Sequence, residues 1–158
     1  RDANGAFAVF DPAAGGRWAR PPVFRSGGTG LVSTVDDYAA FGRMLLGQGR
    51  CGSTRILARP TVELMTTDQI SPAQKAVSPF TPGFWDATGW GLGVGIATRR
   101  DIAATPGAFG WDGGLGTAWQ TIPGEDLVGV ALTQIMDTGP TPGFRRDFWA
   151  LAYAAIDD

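Results

Sequence analysis

The chain has 158 residues with 24 glycines, 11 prolines and a formal net charge of -2, a length that supports one domain with a real core and is short for two. Its charges are scattered, which argues against a nucleic-acid partner, and no apolar run approaches membrane-spanning length and no basic amphipathic helix marks a surface anchor, so no membrane partner is expected. Histidine is absent and Cys51 is the one cysteine; a Ser-His-Asp triad, a Cys-His pair, a His-ligated metal and an internal disulfide are therefore excluded within these residues, and the compartment stays open.

In chain order, residues 1–30 carry turn signals every few positions, and only Phe7, Val9 and Phe10 resemble a short strand. The chain opens on Arg1 with neither an initiating Met nor a signal segment, so the expectation is a piece of a longer polypeptide. Glycines and prolines sit between periodic segments, which predicts a folded, loop-rich domain and not disorder.

The first helix is predicted after Gly27-Gly28-Thr29-Gly30. Ser33 or Thr34 is its N-cap, Asp36 and Asp37 favour the first turn, and Tyr38, Phe41 and Leu45 share a face. Gly47 and Gly49 end it. Cys51 to Thr54 reads as a turn, Arg55 to Leu57 as extended chain. A short second helix starts with Pro60 and carries Val62, Leu64 and Met65.

From Ser71 to Thr88 the prolines at 72, 79 and 82 predict a long loop. Phe80, Phe84 and Trp85 would anchor it to the domain, or line a cleft. Gly89 to Ile96 alternates glycine with Trp90, Leu92, Val94 and Ile96, the period of one strand whose bare face lies under another backbone or a bulky side chain. It is no nucleotide loop, since the spacing is not Gly-x-Gly-x-x-Gly and no helix follows.

The stretch from Pro106 to Ile135 organises the rest. Gly110-Trp111-Asp112-Gly113-Gly114 leads into a predicted hairpin of strands from Gly116 to Ile122 and from Leu127 to Leu132, turned by Pro123 to Asp126. Four glycines between Gly110 and Gly116 allow a ligand to lie against main chain. Pro140 and Pro142 close a loop, and a last helix from about Gly143 places Phe144, Phe148, Leu151 and Ala155 on the sheet, with Arg145, Arg146 and Asp147 on its far face. The expected fold class is α+β, an antiparallel sheet flanked by helices, in a single domain covering 1–158.

Complete catalytic machinery is missing. Lys75, the one lysine, stands four positions after Ser71, one too many for a Ser-x-x-Lys pair. Asp36 with Asp37 and Glu125 with Asp126 read as a helix start and a turn, not an acid/base couple. No cofactor and no metal are expected.

The run from Gly28 to Phe41 (GTGLVSTVDDYAAF), then Ile56-Leu57 with Thr61 to Met65, Gly89 to Gly93, Phe109 to Thr117 (FGWDGGLGT) and Leu132-Thr133-Gln134 resemble, in order, the C-terminal portion of the serine β-lactamase-like family of class C β-lactamases, D-alanyl-D-alanine carboxypeptidases and related esterases. The resemblance implies a partial β-lactamase/transpeptidase-like fold, and acyl-enzyme chemistry on an ester or amide substrate. It implies that a Ser-x-x-Lys helix and a Tyr-x-Asn element lie upstream, so the missing N-terminal part of the same protein is the expected partner. Tyr38 and Tyr153 are each followed by Ala-Ala and match neither motif. Trp111-Asp112-Gly113 takes the place of the family's Lys-Thr-Gly triplet, resembling the Trp-x-Gly form of esterase-like members.

Acyl transfer builds negative charge on a carbonyl oxygen, and a fixed N–H aimed at it contributes about 3 kcal/mol. Gly114 is the expected oxyanion-hole donor; Trp111, Asp112 and Gly113 are the expected substrate-binding residues. Without a lysine at the triplet's first position, a substrate carboxylate loses a cationic partner, which favours an ester or amide hydrolase over a β-lactamase or peptidase. The alternatives are a non-catalytic module stacking sugars or peptides on Trp85, Trp90, Trp111 and Trp119, or a purely structural half-sheet in which Trp111 is core.

Overall fold

A computed structural model describes residues 6–78, 80–136 and 143–157; Pro79, Pro140 and Pro142 lie outside the described residues. The chain divides into two compact units, Arg1–Ser33 and Thr34–Asp158. In the first unit the expected strand at Phe7 to Phe10 does not form. Phe7, Val9 and Phe10 stay exposed, while a turn closes where the Asp11 carboxylate accepts the Arg17 N–H at 2.6 Å and Arg17 lies over the Phe10 ring at 4.2 Å.

The second unit carries the sheet. Helix α1 (Val35–Leu46) begins at Thr34, whose hydroxyl accepts the Asp37 N–H, so Thr34 and not Ser33 is the cap. A tiny hairpin of β1 (Arg50–Cys51) and β2 (Thr54–Arg55) follows, then α2 (Arg59–Met65) with proline in its first turn. The expected loop from Ser71 to Thr88 instead contains α3 (Pro72–Val77). Proline at its start is a helix-compatible position, and Ser71 and Gln74 cap it reciprocally.

Five antiparallel strands follow in the order β3 (Thr88–Trp90), β4 (Gly95–Ala97), β5 (Phe109–Gly113), β6 (Thr117–Ile122) and β7 (Leu127–Leu132). The expected hairpin is β6 and β7, paired from Ile122 with Leu127 to Thr117 with Leu132. The expected single strand from Gly89 to Ile96 is a correction: the segment folds back on itself, Gly89 facing Ile96 and Trp90 facing Gly95, through a turn at Gly93 with φ 88°, a conformation that glycine adopts at no steric cost. Gly93 is open in the turn, but the other bare positions are closely covered. A Cβ on Gly89 would lie 2.6 Å from the Asp68 carboxyl carbon, and one on Gly91 would lie 2.0 Å from the Met65 carbonyl oxygen.

One face of the sheet packs on α1 and α2 through Met44, Leu45, Val62, Val94, Ile96, Phe109 and Trp119. Burial of so many large side chains, each stabilising by about 1.5–3 kcal/mol, makes this the principal core. The other face holds Ala118, Ala131 and Trp149 of α4 (Phe144–Ala154). The stripe expected for α4 is a second correction. Leu151 is 70% exposed and Phe144 48%, whereas Trp149 is 2% exposed, because Gly129 on β7 leaves a socket that the indole fills. Tyr153, one turn on, accepts the Thr105 N–H at 2.9 Å, so the buried face is turned about one residue from the expected one.

Candidate functional site

Strand β5 and the turn after it carry the Trp111-Asp112-Gly113-Gly114 run. Trp111 sits directly opposite Trp119, so alternation puts both on the α1 face. Their environments differ. Trp119 is 4% exposed in the core, while Trp111 is 40% exposed, which removes the reading of Trp111 as a core tryptophan and removes Trp119 from any stacking surface. Asp112 pairs with Ala118 and so points to the α4 face, with one carboxylate oxygen buried; the expected substrate-binding set is thereby split between two faces.

The end of β5 is held from several directions. The Gly113 carbonyl accepts from Arg145 Nη1 at 3.1 Å and from the Gly116 N–H at 3.0 Å. The Gly116 carbonyl accepts from the Thr133 hydroxyl at 2.7 Å and the Thr133 N–H at 3.2 Å. Gly116 itself has φ 87°, and a Cβ there would come 1.9 Å from the Ile135 carbonyl oxygen, so only glycine passes. Between these anchors Gly114 is exposed, open space stands where its side chain would be, and its N–H joins none of the hydrogen bonds among the described residues. Arg145, expected on the solvent side of α4, is one of the anchors; the sequence carries no signal for that reach across 32 positions.

Beside Trp111 stands a cluster of rings. Trp90 meets it edge-on at 4.7 Å, Phe84 at 6.3 Å and Phe80 at 6.1 Å, and Trp85 packs on Phe84 at 4.8 Å. These rings, with Ile70, Gln74, Val77 and Ser78, line a cavity of about 540 Å³. Gly95 makes room for the arrangement, since a Cβ there would lie 3.3 Å from the Trp111 ring. Of the two roles expected for Phe80, Phe84 and Trp85, anchoring the segment and walling a cleft, the packing combines both.

Electrostatics in the cleft are internally compensated. Lys75 bonds the Asp68 carboxylate at 2.5 Å and lies 5.5 Å from the Trp85 ring centroid. Asp68 also accepts the Trp90 N–H at 3.0 Å and the Ile70 N–H at 3.1 Å. Burial works to raise the Asp68 carboxyl, but the Lys75 hydrogen bond, the two N–H groups and the Lys75 charge together outweigh it and hold the carboxyl below its ordinary value. Ser71 caps α3, so Ser71 and Lys75 form no nucleophile pair. Among the described residues no group of three His, Cys, Asp or Glu side chains could hold a metal ion, and no helix is long and apolar enough to cross a membrane.

Comparison with known proteins places this architecture. The family described as Beta-lactamase matches residues 2–154. In Mycobacterium tuberculosis, uncharacterized protein MT1414 (strain CDC 1551 / Oshkosh) and protein Rv1367c (strain ATCC 25618 / H37Rv) are each 40% identical over 120 residues, 72% of this chain and 30% of the relative. The chain thus spans under a third of the length of these curated relatives. Among solved structures, unliganded simvastatin synthase (LovD) from Aspergillus terreus gives a TM-score of 0.55 at 22% identity over 74% of this chain and 33% of that one. Its LovD6 mutant gives 0.54 at 22% identity, over 72% and 32%. A family match over nearly the whole length, together with an antiparallel sheet flanked by helices in the arrangement of these neighbours, establishes that the chain belongs to the Beta-lactamase family.

Proposed function

We propose that the protein carrying this chain is a serine hydrolase that cleaves an ester or amide through an acyl-enzyme, with the nucleophile outside these residues. The observation that carries the reading is the Gly114 N–H: exposed, unused by the fold, and fixed between anchored neighbours beside the half-exposed Trp111. A donor held in this way loses no freedom when charge develops on a carbonyl oxygen, which is the condition for electrostatic stabilisation of a transition state. In this reading Gly113, without a side chain, lets the acyl group lie along β5, and Trp111 shapes the cleft. Asp112 positions the strand from the other face and does not touch substrate. Membership of the Beta-lactamase family and the likeness to simvastatin synthase support acyl-transfer chemistry at the coarser level. An esterase is preferred to a β-lactamase because Trp111 stands where a cation would hold a substrate carboxylate.

A non-catalytic binding module is the second reading, favoured by the partial exposure of Trp85, Trp90 and Trp111 around one cleft. Treating the complete protein with a serine-reactive fluorophosphonate and mapping the adduct by mass spectrometry separates the two. The hydrolase reading expects one stoichiometric adduct on a serine outside residues 1–158 and none on the isolated chain. A complete protein that stays unlabelled, or an adduct on a serine within this chain, overturns it.

A further inference from the structure

We propose that the ring-lined cavity beside Trp111 is the subsite for an uncharged, apolar acyl group longer than acetyl, and so sets the substrate's chain-length preference. The inference rests on the acyl-transfer reading above and adds the class of substrate to it. Three observations converge. The walls are mostly carbon: Phe80, Phe84, Trp85, Trp90, Val77 and Ile70 outnumber the two polar residues, Gln74 and Ser78. The lining holds no charged side chain, the Trp85 indole N–H donates to the Ser78 carbonyl at 2.8 Å, the Gln74 Oε1 accepts the Ser71 N–H at 2.9 Å, and the nearby Lys75 is paired with Asp68. A charged group entering here would lose its hydration without gaining an ionic partner, whereas an alkyl chain would lose nothing.

Continuity is the third observation. Trp111 packs edge-on against Trp90 of the cavity wall and also stands on β5, which ends at Gly113, one residue before Gly114. Gly114 lies two strand steps and one turn step beyond Trp111, a span on the order of 7–10 Å. An acyl group whose carbonyl lies at Gly114 must therefore be several carbons long before its tail reaches the rings. A cavity of about 540 Å³ is ample for such a tail and lies within the range of small-molecule pockets. An acetyl group would leave it empty.

The test uses the complete protein and two independent readouts. In the first, 4-nitrophenyl esters of increasing straight-chain length are compared by kcat/KM; each added methylene that enters the cavity should raise it by about fourfold. In Phe80→Ala and Val77→Asp, both at exposed positions, the ratio of octanoyl to acetyl kcat/KM should fall by about tenfold or more. Ile102→Ser, at an exposed position outside the cleft, should keep the wild-type ratio. In the second, tryptophan fluorescence is titrated with octan-1-ol and with octanoate. The neutral alcohol should give saturable quenching that Val77→Asp abolishes, and the carboxylate should bind at least tenfold more weakly. Octan-1-ol binding without turnover of any ester would retain the cavity and sink the hydrolase. Ester turnover with no chain-length slope and no alcohol binding would sink the cavity and retain the hydrolase.

Discussion

Removing the Gly114 N–H while sparing its surroundings is the sharpest single-residue experiment on the proposed chemistry. Gly114→Pro deletes the donor, and the complete protein should lose about 100- to 1,000-fold in kcat with a much smaller change in KM, because the N–H bonds the developing oxyanion more strongly than the ground-state carbonyl. Gly114→Ala keeps the N–H, and open space awaits the methyl group, so it should stay within a few-fold of wild type; equal activity in the two variants would remove Gly114 from the mechanism. The sequence shows a cluster of four glycines but not how they divide. A Cβ on Gly110 would come 2.0 Å from the Trp119 carbonyl oxygen, and one on Gly116 would meet Ile135. Those two serve packing, while Gly114 stands in the open. Residue type alone carries no information about which backbone lies above it.

At the scale of elements, local signals located the pieces whose determinants are local. The cap and acidic first turn of α1, proline at the start of α2 and the four-residue turn between β6 and β7 all concern neighbours in sequence, and they were legible. What misled was decided at a distance. The alternation from Gly89 to Ile96 is the same whether the segment runs straight or folds back, and the choice fell to Met65, whose carbonyl takes the Leu92 N–H at 2.9 Å. The buried face of α4 was set by a socket at Gly129. Asp68 is another such case: nothing near it in sequence marks it, yet it joins α2's exit, α3 and β3 through Lys75, Ile70 and Trp90. Its carboxyl is held below the ordinary value, so the folded state binds the proton less readily than the unfolded chain. The stabilisation is therefore present above the unfolded value and lost as pH falls below about 4. Asp68→Asn should be less stable than wild type near neutrality by on the order of 1–2 kcal/mol, and urea melts should show the gap closing on acidification. A gap that is the same at pH 7 and pH 3 would mean that the charge is not what joins these elements.

For the whole molecule, the sheet itself bears on where the catalytic machinery lies. Among the described residues both outer strands, β3 and β7, pair on one side, and β7, six residues long with its own Ala131 buried, is the longer edge. A long regular edge offers a row of N–H and C=O groups to another strand. The chain covers 30% of its curated relatives, so the proposal that serine and lysine come from elsewhere in the protein carries a structural corollary: further chain pairs with β7 and brings the nucleophile to the Gly114 end of β5. Hydrogen exchange reads this directly. In the isolated chain the outward amides of β7, at alternate residues, should exchange at least about a hundredfold faster than those of β6, which is paired on both sides. In the complete protein those amides should become as protected as β6. Fast exchange along β7 in both would show that the edge is never covered, and the nucleophile would then have to reach Gly114 by a route that the sheet does not provide.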